Sequence, residues 1–267
     1  MFELDRSLAD ECLGRLRLPS LESTSDLASL IEAMGALIPQ GTTAKIRALE
    51  QGRTPLGSHP AVVAELWMQH PTWSWTCWPM ATLAAGLVNT SSSSLTADVV
   101  ALRRTDPGAP TVDFHSAVLV GSEDGTWLCD PYFGMGPVDA REGGAVLRPG
   151  VMGELLPGGE ALAVLVGMAS NGFLLRYRMA ESGLSAADVN RYCELSVTHS
   201  GLPNRRRIGV LRRDGVEFTQ ELKDGEVVRR RWRPGPDRVW GDSEAWTYHD
   251  WAEATAALLR EGTEQWW

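Results

Sequence analysis

The stretch VDFHSAVLVGSEDGTWLCDPYFG, residues 112–134, decides how this chain is read. Two β-type runs, 112–120 and 126–129, are separated by Ser122, Glu123, Asp124 and Gly125, the composition of a hairpin turn. His115 stands on the first run and Asp130 closes the second. If residues 121–124 form a four-residue loop, Val120 pairs with Gly125 and His115 lies directly opposite Asp130, with Cβ atoms about 5 Å apart. A two-residue Asp-Gly loop keeps both on one face but displaces them along the strands. In the four-residue-loop register the carboxylate can hold and orient the imidazole. Cys129, by alternation, faces away from Asp130 and reads as core.

Upstream, the third member of this chemistry is Cys77. Met80, Leu83, Ala84, Leu87 and Val88 follow it at helical spacing, and Pro79 suits a first turn, where a missing N–H costs nothing. The pattern predicts a helix from Cys77 to about Asn89, before Ser91-Ser92-Ser93-Ser94. A thiol at a helix N-terminus meets the positive end of the dipole and unpaired N–H groups. Both favour thiolate and could hold an oxyanion. Cys77 as nucleophile, His115 as base and Asp130 as the group that orients the base form a catalytic set for covalent acyl chemistry.

Farther out, residues 1–70 read as helical. Leu27, Leu30, Ile31, Met34, Leu37 and Ile38 form a stripe behind a cap at Ser25 or Asp26, and a second helix is expected over 60–68. Strands are expected at 99–102, 162–166, 173–177, 192–197, 207–212, 216–222 and 227–232. The Gly/Pro-rich stretch 134–159 reads as a long loop, Ser185 to Asp188 opens a short helix, and a helix over 246–259 closes the chain. No internal repeat is found. The order, helical then β-rich then mixed, suggests an α+β enzyme of several subdomains.

The net charge of −9, from 25 Lys and Arg against 34 Asp and Glu, argues against a nucleic-acid partner. No apolar run reaches the roughly 20 residues of a membrane span, and the acidic N-terminus lacks a signal-peptide layout. The expectation is a cytoplasmic protein with no membrane partner. Cys12, Cys77, Cys129 and Cys193 lack C-x-x-C spacing, so neither a metal site nor a disulfide framework is indicated. Lysine occurs only at positions 45 and 223, which fits the codon bias of a GC-rich bacterial genome.

On these residues the chain resembles the arylamine N-acetyltransferases. That family places its catalytic Cys before a helix, its His on one strand and its Asp on the next, and the separations here, 38 and 15 residues, match. Asp130-Pro131-Tyr132-Phe133-Gly134 looks like the family's D-x-x-F-G motif, which implies that Phe133 and Gly134 line the acceptor pocket. Ile38-Pro39 resembles part of an N-terminal I-P-F-E-N motif, and Asp188, Asn190 and residues 196–199 loosely resemble the start of the third domain. The resemblance implies an N-terminal helical bundle (1–90), a central β-barrel (91–184) and a C-terminal α/β lid (185–267).

Where the family has R-G-G-x-C-x-E, this chain has Trp73-Ser74-Trp75-Thr76-Cys77-Trp78-Pro79. Trp73, Trp75 and Trp78 lie within four residues of the nucleophile and read as substrate-binding residues, while Trp232, Trp240, Trp246 and Trp251 read as packing. The indoles reshape the approach to the thiol. Relatives that close macrolactams or release chains from carrier proteins as amides fit such a pocket at least as well as an acetyl-CoA and arylamine reaction.

The expected activity is N-acyl transfer to a small amine, with no bound cofactor and with acyl-CoA or an acyl carrier protein's phosphopantetheinyl thioester as cosubstrate. Arg205 to Arg207, Arg212, Arg213 and Arg229 to Arg231 could meet the phosphates of that donor, or could blunt a solvated strand edge. With water as acceptor the same three residues would make a cysteine hydrolase or peptidase, and a pocket without turnover would leave a binding protein.

Overall fold

Helical periodicity in the described part of the first ninety residues becomes helices that share one core. The computed structural model describes residues 2–38, 40–41, 44–45, 59–71, 73, 75–104, 114–141, 144–148, 151–156, 163–168, 173–198, 208–213, 216–223, 226–234 and 240–248. Helix α1 (Arg6–Leu16) buries Ala9, Cys12, Leu13 and Leu16. Helix α2 (Thr24–Leu37) buries Leu27, Leu30, Ile31 and Met34, the expected stripe. Helix α3 (Pro60–Gln69) opens on a proline at its first position, where the missing N–H has no partner to lose.

Helix α4 (Cys77–Ser91) is different in kind. Twelve of its fifteen residues are buried, so it is the central helix rather than an amphipathic cover. Truncating a fully buried residue such as Leu87 to Ala would cost about 2–5 kcal/mol. Its far end is pinned by side-chain bonds to backbone. Asn89 Nδ2 donates to the carbonyls of Phe2 and Ala97, both at 2.9 Å, and its Oδ1 accepts from the Ala97 N–H at 2.7 Å. Gly86 is required where α3 crosses, because a Cβ there would lie 2.8 Å from Pro60 Cβ.

Strands β2 (Thr96–Arg104), β3 (Phe114–Ser122), β4 (Gly125–Asp130), β5 (Met135–Asp139), β6 (Gly144–Arg148), β7 (Val151–Leu156), β8 (Ala163–Met168) and β9 (Phe173–Glu181) form one antiparallel sheet. Its order is β5-β4-β3-β2-β9-β8-β7-β6. Among the described residues β5 and β6 are not paired with each other, so the sheet is open and the expected closed barrel is not formed. Alternation sorts its side chains cleanly. Ala97, Val99, Ala101, Val118, Val120 and Cys129 join the core that contains the helices, while Val100, Leu102, Ala117 and Leu128 form a second core with Phe133, Met135 and Val138.

Helix α5 (Ala186–Thr198) follows. A second antiparallel sheet, ordered β1-β10-β11-β12-β13, takes β1 (Gln40–Gly41) from the N-terminal third and β10 (Ile208–Arg213), β11 (Val216–Lys223), β12 (Glu226–Pro234) and β13 (Trp240–Tyr248) from the C-terminal third.

Three expectations are corrected. Residues 192–197 belong to α5 rather than a strand: Val189, Tyr192 and Cys193 are buried at helical spacing, and Ser185 and Asp188 exchange capping bonds. The stretch 134–159 is not one long loop, since it holds β5, β6 and β7. Arg148 pairs with Val151, so β6 and β7 are adjacent antiparallel strands rather than loop. Residues 246–248 are the end of β13, not a helix start, and the remainder of the expected closing helix lies outside the described residues.

Candidate active site

The β3–β4 hairpin sets the polar half of the site. Ser122 pairs with Gly125 across a two-residue loop, Glu123-Asp124, and Val118 pairs with Cys129. Neither expected register is observed. His115 is not directly opposite Asp130, but the slip from the four-residue-loop register is an even number of residues and both side chains keep one face. Asp130 lies just past the last β3–β4 pair and reaches His115 diagonally. His115 Nε2 and Asp130 Oδ2 are 2.5 Å apart. The residues are 4% and 0% exposed, so this ion pair is fully inside the protein.

The other carboxylate oxygen explains the D-x-x-F spacing. Asp130 Oδ1 accepts the backbone N–H of Phe133 at 3.0 Å, which closes the turn and sets Phe133 against the imidazole. The ring centroids of His115 and Phe133 are 5.0 Å apart, and those of His115 and Tyr132 are 5.8 Å apart. Gly134 follows with φ 65°, and its Cα lies 2.8 Å from where a Cβ on Gly35 of α2 would sit. The glycine lets the turn close against α2.

Cys77 is the first residue of α4, half-buried, and its thiol is hydrogen-bonded to the imidazole of His115. With Nε2 held by Asp130, the ring nitrogen left for sulfur is Nδ1. Burial alone would raise the thiol; the charge and hydrogen bond of His115, with help from Ser116, outweigh it and hold Cys77 below its ordinary value of 9.0. The Ser116 hydroxyl is buried beside the sulfur without completing a well-formed hydrogen bond among the described residues. Burial likewise opposes a charged His115, but the Asp130 carboxylate and then the Cys77 thiolate push it up to about 10. Both directions favour thiolate–imidazolium over the neutral pair.

Across the other three cysteines the direction reverses: burial pushes Cys12 up to about 11, Cys193 up to about 12, and Cys129 higher still. Of the four, Cys77 is the one held below the ordinary thiol value.

The indoles occupy different settings. Trp73 is half-buried and stacks on His70 with centroids 4.1 Å apart. Trp75 and Trp78 are 1% and 2% exposed and sit in the helical core. The Trp75 carbonyl accepts the Gly41 N–H at 2.8 Å, tying β1 to the residue two before the thiol. Trp78 stacks on Tyr192 of α5 at 4.8 Å and 6°, with Phe114 tilted onto the same tyrosine. That stack fixes α5 beside the start of α4.

Ser116 beside the thiol, Tyr132 against His115 and Tyr192 against Trp78 adjoin the site without having been read from sequence as part of it.

A scan of protein-family models and a search of curated protein sequences give no match. Solved structures do match. The arylamine N-acetyltransferase of Mycobacterium marinum in complex with CoA superposes with a TM-score of 0.72 at 15% identity, covering 94% of this chain and 90% of that one. The chain has the arylamine N-acetyltransferase fold. The Salmonella typhimurium arylamine N-acetyltransferase gives a TM-score of 0.65 at 14% identity, over 95% of this chain and 89% of its own. That of Nocardia farcinica gives 0.64 at 17%, over 92% and 86%. Within this fold the resemblance read from residues 112–134 extends over nearly the whole chain.

Among the described residues no group of three or more His, Cys, Asp or Glu is placed to hold a metal ion, and no helix is long and apolar enough to cross a membrane. Arg212 and Arg213 lie on β10 and Arg229 to Arg231 on β12, while Arg205 to Arg207 fall outside the described residues.

Proposed function

We propose that this protein is an acyltransferase that forms an amide by passing an acyl group from a thioester, through Cys77, to an amine. The observation that carries this reading is the buried His115–Asp130 pair set against a half-buried thiol at the start of α4. The Cys77 thiolate attacks the carbonyl carbon of the donor thioester. The bond from that carbon to the donor sulfur breaks, and the departing thiolate takes the proton of the His115 imidazolium. An amine then attacks the Cys77 thioester, neutral His115 accepts its proton, and the carbon–Sγ bond breaks to restore thiolate and imidazolium. Asp130 holds the ring and stabilises its charged form throughout. The N–H groups of Cys77 and Trp78 have no acceptor within α4 and are available to the oxyanion.

CoA in the M. marinum structure supports an acyl-CoA donor here. A phosphopantetheinyl carrier presents the same thioester and is the second donor class to test. The indoles in place of R-G-G-x-C-x-E support an acyl and amine pair other than acetyl and arylamine, as in the amide-forming steps of natural-product biosynthesis.

The test is intact-protein mass spectrometry after incubation with acyl-CoA and acyl-carrier thioesters, with Cys77→Ala as control. A mass gain of one acyl group, absent in the variant and discharged by an amine, is expected. A reactive thiol that forms no adduct with any donor would move the assignment to a hydrolase.

A further inference from the structure

The chain neighbours of the nucleophile and of the base meet on one ring. Trp78, the residue after Cys77, stacks on Tyr192 of α5 with centroids 4.8 Å apart and planes 6° from parallel. Phe114, the residue before His115, tilts onto the same tyrosine at 4.8 Å and 56°. Tyr192 and Trp78 are both buried, and Phe114 is half-buried against them. Successive side chains of β3 point to opposite faces, so Phe114 turns to α5 while His115 turns to Asp130. On α4 one residue is a rotation of about 100°, so the Trp78 indole and the Cys77 thiol leave the helix in different directions. The tyrosine therefore grips the first turn of α4 and the start of β3 without touching the reacting atoms.

Tyr192 is itself held. The Arg191 guanidinium lies 5.1 Å over its ring and is tied to Glu181 of β9 at 3.2 Å and to Asp188 at 3.6 Å. Burial, then a hydrogen bond to Glu181, push the phenol up to about 12, so it stays protonated through the neutral range.

Resting on the acyl-transfer reading, we propose that Tyr192 is a positioning residue: its ring, in contact with the chain neighbours of both nucleophile and base, sets the spacing at which Cys77 and His115 meet. Helix α5 thereby belongs to the active site without supplying a group to the chemistry. Aromatic pairs constrain both distance and angle, and a misplacement of about 1 Å between reacting groups costs about 100-fold in rate. Trp78 also carries one of the two N–H groups left to the oxyanion, so the same contact steadies that donor.

The test reads the Cys77–His115 pair through the pH profile of Cys77 alkylation by iodoacetamide, followed by intact mass, with urea unfolding of each variant beside it. Tyr192→Leu removes the ring and should move the profile upward by about one unit, about tenfold slower alkylation on its rising limb. Tyr192→Phe keeps the ring, loses the bond to Glu181, and should overlay wild type. Leu13→Ala, a truncation of a buried residue of α1, should lose stability and leave the profile in place. A Tyr192→Leu profile that overlays wild type overturns the proposal, as does a Tyr192→Phe or Leu13→Ala profile displaced as far as that of Tyr192→Leu. Should Tyr192→Leu not fold, Phe114→Leu removes the contact on the base side: a displaced profile supports the proposal and an unmoved one overturns it. Alkylation needs no acyl donor, so acyl-adduct formation by the wild-type protein decides the acyl-transfer reading separately.

Discussion

Helices α2 and α4 begin in opposite ways. At α2, Ser23 and Asp26 form a reciprocal box: Asp26 N–H donates to Ser23 Oγ at 3.2 Å and Ser23 N–H to Asp26 Oδ2 at 3.0 Å. The Ser23 side chain, then the Glu22 N–H, hold the Asp26 carboxyl below its ordinary value. At α4, Thr76 makes no side-chain cap, the first turn holds no acid, and Cys77 takes the first position. One N-terminus spends its donors on its own stability. The other leaves them, with the dipole, to a thiol and whatever binds there. The difference separates a structural from a chemical use of the same backbone geometry.

The largest test removes the group that makes the α4 terminus chemical. Asp130→Asn takes away the charge that raises His115, and turnover should fall by about 10,000-fold in a donor-thiol release assay. A variant within tenfold of wild type would show that α4 needs no ion pair beside it.

The pH dependence comes next. His115, raised to about 10, contributes stability that is complete below its unfolded value near 6.5 and is lost as pH rises through about 10. Cys77, lowered, contributes stability present above 9.0 and lost as pH falls through its folded value. Above 6.5 and the folded value of Cys77, and below 9.0, the folded thiolate–imidazolium pair and the unfolded neutral pair bind the same number of protons. Urea stability should therefore be nearly flat there, while Cys77 alkylation begins below pH 9 and Cys129 stays inert. A Cys77 profile centred at 9 in the folded protein contradicts the pairing.

Smaller effects separate the two helices directly. Ser23→Ala should cost about 1 kcal/mol in urea unfolding and leave the Cys77 alkylation profile where it was. Thr76→Asp should do the reverse. A carboxylate at the α4 cap satisfies its N–H groups and sets negative charge beside the sulfur, slowing alkylation at neutral pH by about three- to fivefold without loss of stability. If Thr76→Asp left the thiol unchanged, the open terminus would have no chemical role.

Legibility followed the range of the signal. The stripes of α2 and α4 and the runs of β2, β3 and β4 were readable because their faces repeat within one segment. Residues 192–197 misread as a strand because Tyr, Leu and Val suit β structure, although the Ser185/Asp188 box and the Val189–Tyr192–Cys193 spacing carried the helical answer. Gly and Pro made 134–159 look like a loop because hairpin turns and loops share a composition. The shared face of His115 and Asp130 was legible from alternation; the burial of Trp75 and Trp78 was not, because sequence distance from Cys77 does not report which side chains face the core.

By itself the sequence determined residue chemistry and local periodicity: a cysteine opening a helix, a histidine and an aspartate on one face of a hairpin, and a turn closed through Asp130. Tertiary structure alone decided the two-residue loop that makes the His115–Asp130 contact diagonal, the open edges of the large sheet, and the bridge from β1 to Trp75, two residues before Cys77. Those outcomes depend on contacts between segments far apart in the chain, where no short-range pattern distinguishes one pairing from another.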